Sequence, residues 1–411
     1  MATRHSIDSR PRRINRSKLM TGSLISVVVP AYNAEDTIGP CIHALRNQQF
    51  EQPYEIIVVD DGSTAKTPEI ARDAGATVIS IVNSRPAAAR NTGIRVAKGD
   101  TICFTDADCV SYPDWLREIT APLEDTTVVA CKGIYSSRQT QLIARFVQLE
   151  YEDKYDLMRG AETIDFIDTY SAAYRREILV AEGGFDEQYA FQEDQELSFR
   201  LAERGHRMVF QPTAVVEHRH PSTLIAYIRK KYLIGYWKSQ IVRRFPNRLV
   251  RDSHTPQIMK VQMALAILLL AASTWFIVGA LLSIMGRRPL GTILYGPLLV
   301  LASIFVATAL PFVRKAWSKD TSVALASPLL LFARALSLGF GYIAGVISPR
   351  DHETNPSRSI KTSYPTKRVL DVIGSVVGLI FTVIVWPLVA LLIKLDSVGT
   401  VIFRQERIGV R

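Results

Sequence analysis

Three short clusters in the chain carry residue types suited to cation and phosphate chemistry. They are Asp60-Asp61-Gly62-Ser63, Asp106-Ala107-Asp108 and Gln192-Glu193-Asp194-Gln195-Glu196. Each has a plain alternative. Asp-Gly-Ser alone is turn chemistry, and a lone Asp-x-Asp is a weak signal. Acids at 193–196 also suit the first turn of a helix running to Glu203. Together the clusters say more. Carboxylates gathered at one edge repel, and a bound cation resolves the repulsion. Hard carboxylate oxygens suit Mg2+ or Mn2+, ions that bridge to phosphates.

The intervening elements must bring these clusters to one place. Leu24 to Val29 is a nearly continuous β-branched apolar run, as expected of a strand buried on both faces of a parallel sheet. Glu55 to Val59, Thr77 to Ile81 and Thr101 to Thr105 read as further strands. Helical spacing fills Thr37 to Asn47, Thr67 to Ala74 and Ala87 to Ala97. This alternation predicts right-handed crossovers and an α/β fold with an open, Rossmann-like sheet. Ligands bind such sheets at the carboxyl ends of the strands. Pro30 to Glu35, Asp60-Asp61 and Asp106-Asp108 all fall there.

The ordered series SVVVPAYNAEDTI, EIIVVDDGST, AAARNTGI and FTDADC, followed by GGFDEQYAFQEDQELSFRLAERGHR, resembles the inverting glycosyltransferase family two over about residues 23 to 250. The resemblance implies a GT-A fold and residue roles. Pro30, Tyr32, Glu35 and Asp60 or Asp61 would hold the nucleoside of a nucleotide-sugar donor, and Arg90 would approach its diphosphate. Asp106 and Asp108 would contact the donor ribose and the metal, and Asp194 would be the general base, with Glu193 beside it. The chemistry asks for such a base, because the acceptor hydroxyl must lose its proton as it attacks the anomeric carbon. His218 and His220, in E-H-R-H, could extend the metal site, but they read rather as ending a strand and locally satisfied, outside the catalytic set. Gln240-Ile241-Val242-Arg243-Arg244 lacks the tryptophan of the polymer synthases' Q-x-x-R-W signature, which argues against a processive polymerase.

The chain has 411 residues and a net charge of +10, a balance that fits either nucleic acid or an anionic membrane surface. Long apolar segments point to the membrane, and no nucleic-acid partner is expected. Residues 1–20 read as a basic flexible tail without the apolar run of a cleavable signal peptide. Residues 21–250 form the GT-A domain. Cys103 and Cys109 flank the Asp106 cluster, which raises zinc, but all four cysteines (Cys41, Cys103, Cys109 and Cys131) read as small buried residues in a reducing compartment. Cationic and aromatic residues from Tyr227 to Trp237 suit either a helix in the headgroup layer or a packed aromatic stripe.

The membrane region covers 257–348. Val261 to Gly286 and Pro289 to Val313 are each long enough to span a bilayer and make a hairpin around Arg287 and Arg288. Ser322 to Ser348 carries Arg334 at its middle, where a charge is costly, and basic residues flank it on both sides. It is therefore expected to be interfacial or re-entrant. Residues 349–366 form a basic linker.

Lys367 to Arg411 resembles the opening of bacterial sugar transferases, the monotopic phosphoglycosyl transferases that act on polyprenyl phosphate. Its elements are K-R-x-x-D, an apolar helix broken at Pro387, I-K-L-D-S-x-G and F-R-Q-x-R-x-G. That resemblance implies a helix that turns back at Pro387, and it stops short of the family's catalytic Asp-Glu pair. The expectation is an anchor fragment without its own chemistry.

The function expected is a metal-dependent transfer of sugar, with UDP the commonest carrier in the family, onto a polyprenyl-diphosphate-linked saccharide. Its setting would be cell-surface polysaccharide assembly. The catalytic domain would be cytoplasmic on a bacterial inner membrane, in a complex with other glycan-assembly enzymes. Two alternatives stand: a polyprenyl-phosphate monosaccharide synthase, and a non-catalytic nucleotide-sugar-binding scaffold.

Overall fold

The computed structural model describes residues 24–249, 252, 253, 255–284 and 295–348. The expected tail 1–20, the turn around Arg287 and Arg288, the linker 349–366 and the segment 367–411 lie outside the described residues.

The four apolar runs form parallel strands β1 (Ile25–Ala31), β2 (Tyr54–Asp60), β3 (Thr77–Ser80) and β4 (Thr101–Phe104). Helices α1 (Ile38–Arg46), α2 (Thr67–Asp73) and α3 (Arg85–Val96) connect them. The chain continues through β5 (Cys109–Ser111), α4 (Trp115–Thr120), β6 (Val128–Ser136), α5 (Leu142–Arg159), β7 (Ala172–Arg175), α6 (Arg176–Ala181), α7 (Glu193–Glu203) and β8 (Arg207–His218). All eight strands join one mixed sheet in the order β3-β2-β1-β4-β7-β6-β8-β5, with β7 antiparallel to β4 and β6. Alternation along β1 sends Val27 and Val29 into one apolar layer, with Ile42 and Trp115. Val28 goes into the other, with Phe104 and Leu197. Burial of both faces is what made these strands read as continuous apolar runs.

Four more helices follow: α8 (Leu224–Arg244), α9 (Gln257–Ile284), α10 (Tyr295–Trp317) and α11 (Thr321–Ile347). The last three are long and apolar enough to cross a membrane. Over their apolar stretches α9 and α10 are 22% and 17% buried, whereas α11 is 56% buried, so protein rather than solvent or lipid covers much of α11. The end of α10 returns to the sheet domain, where Lys315 pairs with Asp156 of α5 at 2.6 Å and Lys319 pairs with Glu152.

Along its length α11 lies on α5 and α8. Arg334, whose mid-helix charge looked costly, is buried against Glu150 of α5 at 2.8 Å and donates to Gln262 of α9 at 2.6 Å. Lys231 and Tyr227 of α8 reach the same carboxylate, at 3.0 and 3.1 Å. Burial alone would raise the Glu150 carboxyl, but Lys231 and Arg334 outweigh it and hold it down at about 2. Tyr227 and Trp237 are likewise buried in protein, so the packed stripe describes this face of α8.

Small residues permit the close contact of α8 with α11. A Cβ at Gly341 would strike the Tyr232 carbonyl oxygen, and one at Gly345 would strike Ser239 Oγ. Gln240 Nε2 donates to the Gly345 carbonyl at 2.7 Å and Tyr236 Oη to that of Ser348 at 2.8 Å. Gly341→Val should therefore destabilise the protein by about 1–3 kcal/mol through overpacking. Gly160→Ala, where a Cβ meets nothing within 4 Å, should stay within about 0.5 kcal/mol of the parent. Thermal unfolding of both variants in detergent checks this, and equal losses would contradict the packing described.

Candidate active site

The loops after β1 and β2 are fastened to each other. Asn33, in the left-handed region at φ 46°, donates its backbone N–H to Ser63 Oγ at 2.8 Å, and its Oδ1 accepts from Thr64 N at 2.9 Å. Asp60 is buried and accepts from Ser63 N at 3.3 Å. Asp61 spends both oxygens on the N–H groups of Ser84 and Arg85, at 2.7 and 2.8 Å, and so fixes the entry to α3. Burial raises its pKa against the pull of those two donors. Pro30 is half-buried, while Tyr32 and Glu35 are exposed at the rim.

Arg90, on the buried face of α3, is committed to carboxylates. One terminal nitrogen pairs with Glu193, and the other meets Asp106 Oδ1 at 3.0 Å. A buried guanidinium needs such partners, and here they come from opposite sides of the site: the end of β4 and the start of α7. The residue that resemblance assigned to the donor diphosphate thus sits between two acids.

Asp106 and Asp108 face different neighbours. Asp106 turns to Arg90. Asp108 Oδ1 lies 3.4 Å from His218 Nδ1, because β8 pairs antiparallel with β5 and sets His218 opposite Cys109. Ligand atoms of Asp108, Cys109 and His218 all lie within 4.8 Å of one another. Burial would raise the Asp108 carboxyl, but His218 outweighs it and the pKa is lowered. Burial and the nearby aspartates hold the Cys109 thiol well above its ordinary value, so it stays protonated at neutral pH. Asp108 offers a carboxylate and His218 an imidazole beside the buried Cys109 thiol, and the carboxylate and imidazole fit a divalent cation completed by phosphate oxygens.

Sequence reading left His218 out. The available signal was its place in E-H-R-H, closing a strand that returns beside the Asp-Ala-Asp cluster. His220 fits the bland reading: burial holds it neutral, down at about 3, and its Nε2 lies 2.9 Å from Gln148 Oε1.

Gln192, in the left-handed region at φ 64°, sets the start of α7, and its Oε1 is buried without a hydrogen-bond partner among the described residues. Left-handed backbone at a residue with a side chain is strained and is concentrated at functional sites. Next to it, Glu193 is held by Arg90, while the Asp194 carboxylate accepts only the N–H of Gln195, at 2.8 Å, among the described residues. Burial first, then Glu193 and Asp168, raise the Asp194 pKa well above the carboxylate range. Asp168 itself pairs with Lys132, which is buried in the middle of β6. Sequence reading missed this pair too.

Arg90, Asp106, Glu193 and Asp194 line one cavity of about 550 Å³, together with Asp168 and Gln192. A mixed sheet with a fastened pair of loops at its strand ends, a split Asp-Ala-Asp and an acidic helix start beside a cavity is the arrangement of a GT-A glycosyltransferase domain.

The relatives agree. Residues 26–181 match the family described as glycosyl transferase family 2. Residues 362–411, outside the described residues, match the family described as bacterial sugar transferase. EpsJ of Bacillus subtilis, an uncharacterized glycosyltransferase, is 36% identical over 234 residues, which cover 51% of this chain and 67% of that one. The amylovoran biosynthesis glycosyltransferase AmsB of Erwinia amylovora is 30% identical over 257 residues, 58% of this chain and 83% of that one. The pre-mycofactocin glycosyltransferase of Mycobacterium tuberculosis is 28% identical over 236 residues, 54% of this chain; the match spans about half of that relative's length, 48%. The chain belongs to glycosyl transferase family 2. The mannosyltransferase PcManGT from Pyrobaculum calidifontis, in complex with GDP-Man and Mn2+, shares the fold with a TM-score of 0.51 at 18% identity, over 80% of this chain and 89% of that one.

The raised Asp194 pKa has a consequence for stability. Its folded value lies above the unfolded value of about 4. The native state therefore keeps its full stability below that pH and loses some as pH rises through the folded value. Asp194→Asn should melt at a higher temperature than the wild type at neutral pH, with the difference shrinking as pH falls. Identical melting temperatures across pH would contradict the burial of a bare carboxylate.

Proposed function

We propose that the protein transfers a sugar from a nucleotide-sugar, a UDP-sugar first among the candidates, to a polyprenyl-diphosphate-linked saccharide, with inversion and with a divalent cation. The carrying observation is the bare Asp194 carboxylate lining the same cavity as Asp106. The acceptor hydroxyl attacks the anomeric carbon and its proton passes to Asp194. The bond from that carbon to the diphosphate oxygen breaks, and its electrons leave with the nucleoside diphosphate. Asp194 then returns the proton to water. A base with a raised pKa accepts that proton well near neutral pH. Arg90 keeps Glu193 and Asp106 occupied, which leaves Asp194 the carboxylate open to substrate.

The loop pair around Asn33, Asp60 and Ser63, with Pro30, Tyr32 and Glu35 at its rim, is the proposed nucleoside cradle. Asp108 and His218 would hold Mg2+ or Mn2+, with Asp106 adjacent, and the imidazole favours Mn2+ of the two. When bound, the cation offsets charge on the departing diphosphate. The apolar helices and the bacterial sugar transferase match support a lipid-linked acceptor. The amylovoran relative supports a place in exopolysaccharide assembly, where partners from the same assembly are expected.

For topology we read α9 and α10 as a hairpin that leaves and returns on the cytoplasmic side of a bacterial inner membrane. In this reading α11 lies at the interface, where Arg334 has its partner in the sheet domain.

Radiolabelled nucleotide sugars incubated with lipid-linked acceptors test the reading. Asp194→Asn should lose about 10²–10⁴-fold in kcat with the donor KM little changed. In the wild type, kcat/KM should rise with pH through a midpoint above the ordinary carboxylate range. Chelation should abolish transfer and Mn2+ restore it, while His218→Ala should weaken metal activation about 10-fold or more. Equal transfer by Asp194→Asn would overturn the assignment.

A further inference from the structure

The cavity at Asp194 does not end at the carboxylates. It continues as an apolar slot between α8, α9 and α11, walled by Ile234, Val242, Met263, Ile267, Leu338 and Ile343. Its size, about 550 Å³ in all, lies within the range of small-molecule sites. Ile343, one of its lining residues, is 39% exposed. The slot is narrow because α8 and α11 touch backbone to backbone beside it, Gly235 against the Leu338 carbonyl. One chain fits such a gap better than a pair of acyl tails. Flexible Met259 and Met263 adapt the wall to a methyl-branched chain.

Cations stand where the acidic end meets the apolar arm. Lys154, Lys230, Lys238 and Lys260 all line the cavity. Lys238 is paired with Asp252 at 3.2 Å. Lys230 makes no ion pair among the described residues, and its charge reaches both Asp108 and His220. Lys154 lies 5.2 Å from the Tyr151 ring centre. Burial, with Lys231, pulls its ammonium down to about 7 against Asp168 and Glu150. An ammonium so desolvated gains from an incoming anion. One cavity thus gathers a proton acceptor, cations and apolar side chains. That set matches a ligand with a hydroxyl-bearing head, a diphosphate and a single apolar tail.

We propose that this slot seats the lipid of the acceptor, a single-chain isoprenoid diphosphate, with its diphosphate at Lys154 and Lys230 and its tail between α8, α9 and α11. The proposal rests on the lipid-linked reading of the acceptor and adds the position of the lipid.

Two measurements on the full chain in nanodiscs decide it. In the first, Met263→Trp and Ile343→Trp, which fill the arm from different helices, should raise KM for a polyprenyl-linked acceptor about 10-fold or more while leaving the donor KM in place. Leu325→Trp, on an exposed part of α11 (70%) away from the slot, should match the wild type. In the second, farnesyl diphosphate carrying a diazirine should label the peptides containing 259–267 or 338–343. Unlabelled farnesyl diphosphate should protect them, and phosphatidylglycerol should not. Unchanged acceptor KM in both Trp variants, labelling elsewhere, or equal protection by phosphatidylglycerol would each overturn the slot. Failure of the wild type to use any lipid-linked acceptor, with transfer to a water-soluble one intact, would instead overturn the functional reading, and the labelling would still decide the slot.

Discussion

The site is organised around one buried cation. Arg90 lies in the apolar layer under the sheet, where an unpaired guanidinium would be untenable, and its partners are Asp106 after β4 and Glu193 at the start of α7. Those acids are 87 residues apart in the chain (193 − 106), so the ion pair holds the parallel half of the sheet to the start of α7. Removing one member of such a buried set typically costs about 3–5 kcal/mol, because the others are left uncompensated. The same pairing shapes the chemistry. By engaging Glu193 it leaves the neighbouring Asp194 without an ion-pair partner of its own among the described residues, and burial then raises that carboxyl's pKa.

A second buried charge set, built on Glu150, does comparable work at the membrane side. Arg334 from α11, Lys231 and Tyr227 from α8, and Gln262 through Arg334 converge there. Apolar helices have little reason to choose one face of a soluble domain over another. A buried carboxylate with two cations gives α11 one registry against α5 and α8, in the way that buried polar groups can specify arrangement. The backbone contacts at Gly341 and Gly345 then lock it. Because Leu338, Gly339, Tyr342 and Ile343 also line the cavity, this registry sets part of the wall around the reacting groups.

Much of the first half was legible in the sequence because β1, β2 and β4 are largely buried on both faces and leave apolar runs, while the edge strand β3, half-exposed, gave a weaker one. The second half was not. β6 carries Lys132 at its centre, which reads as solvent-facing but is buried against Asp168. β8 contains Pro212 and is half-exposed over much of its length, and β7 is only four residues long. Of the site, the clusters themselves were visible, but their division was not. Asp106 and Asp108 stand two residues apart yet serve Arg90 and His218, and only the pairing of β5 with β8 brings His218 into play. Arg334 looked costly for the same reason: its partner lies 184 residues away.

The account stands on Asp194 acting as the base in a single displacement at the anomeric carbon. The anomeric configuration of the new linkage, read by NMR on the product made from an α-linked nucleotide-sugar, tests that most directly. A β-linked product is predicted. An α-linked product would require two displacements or a different geometry at the reacting carbon, and would contradict the role given to Asp194.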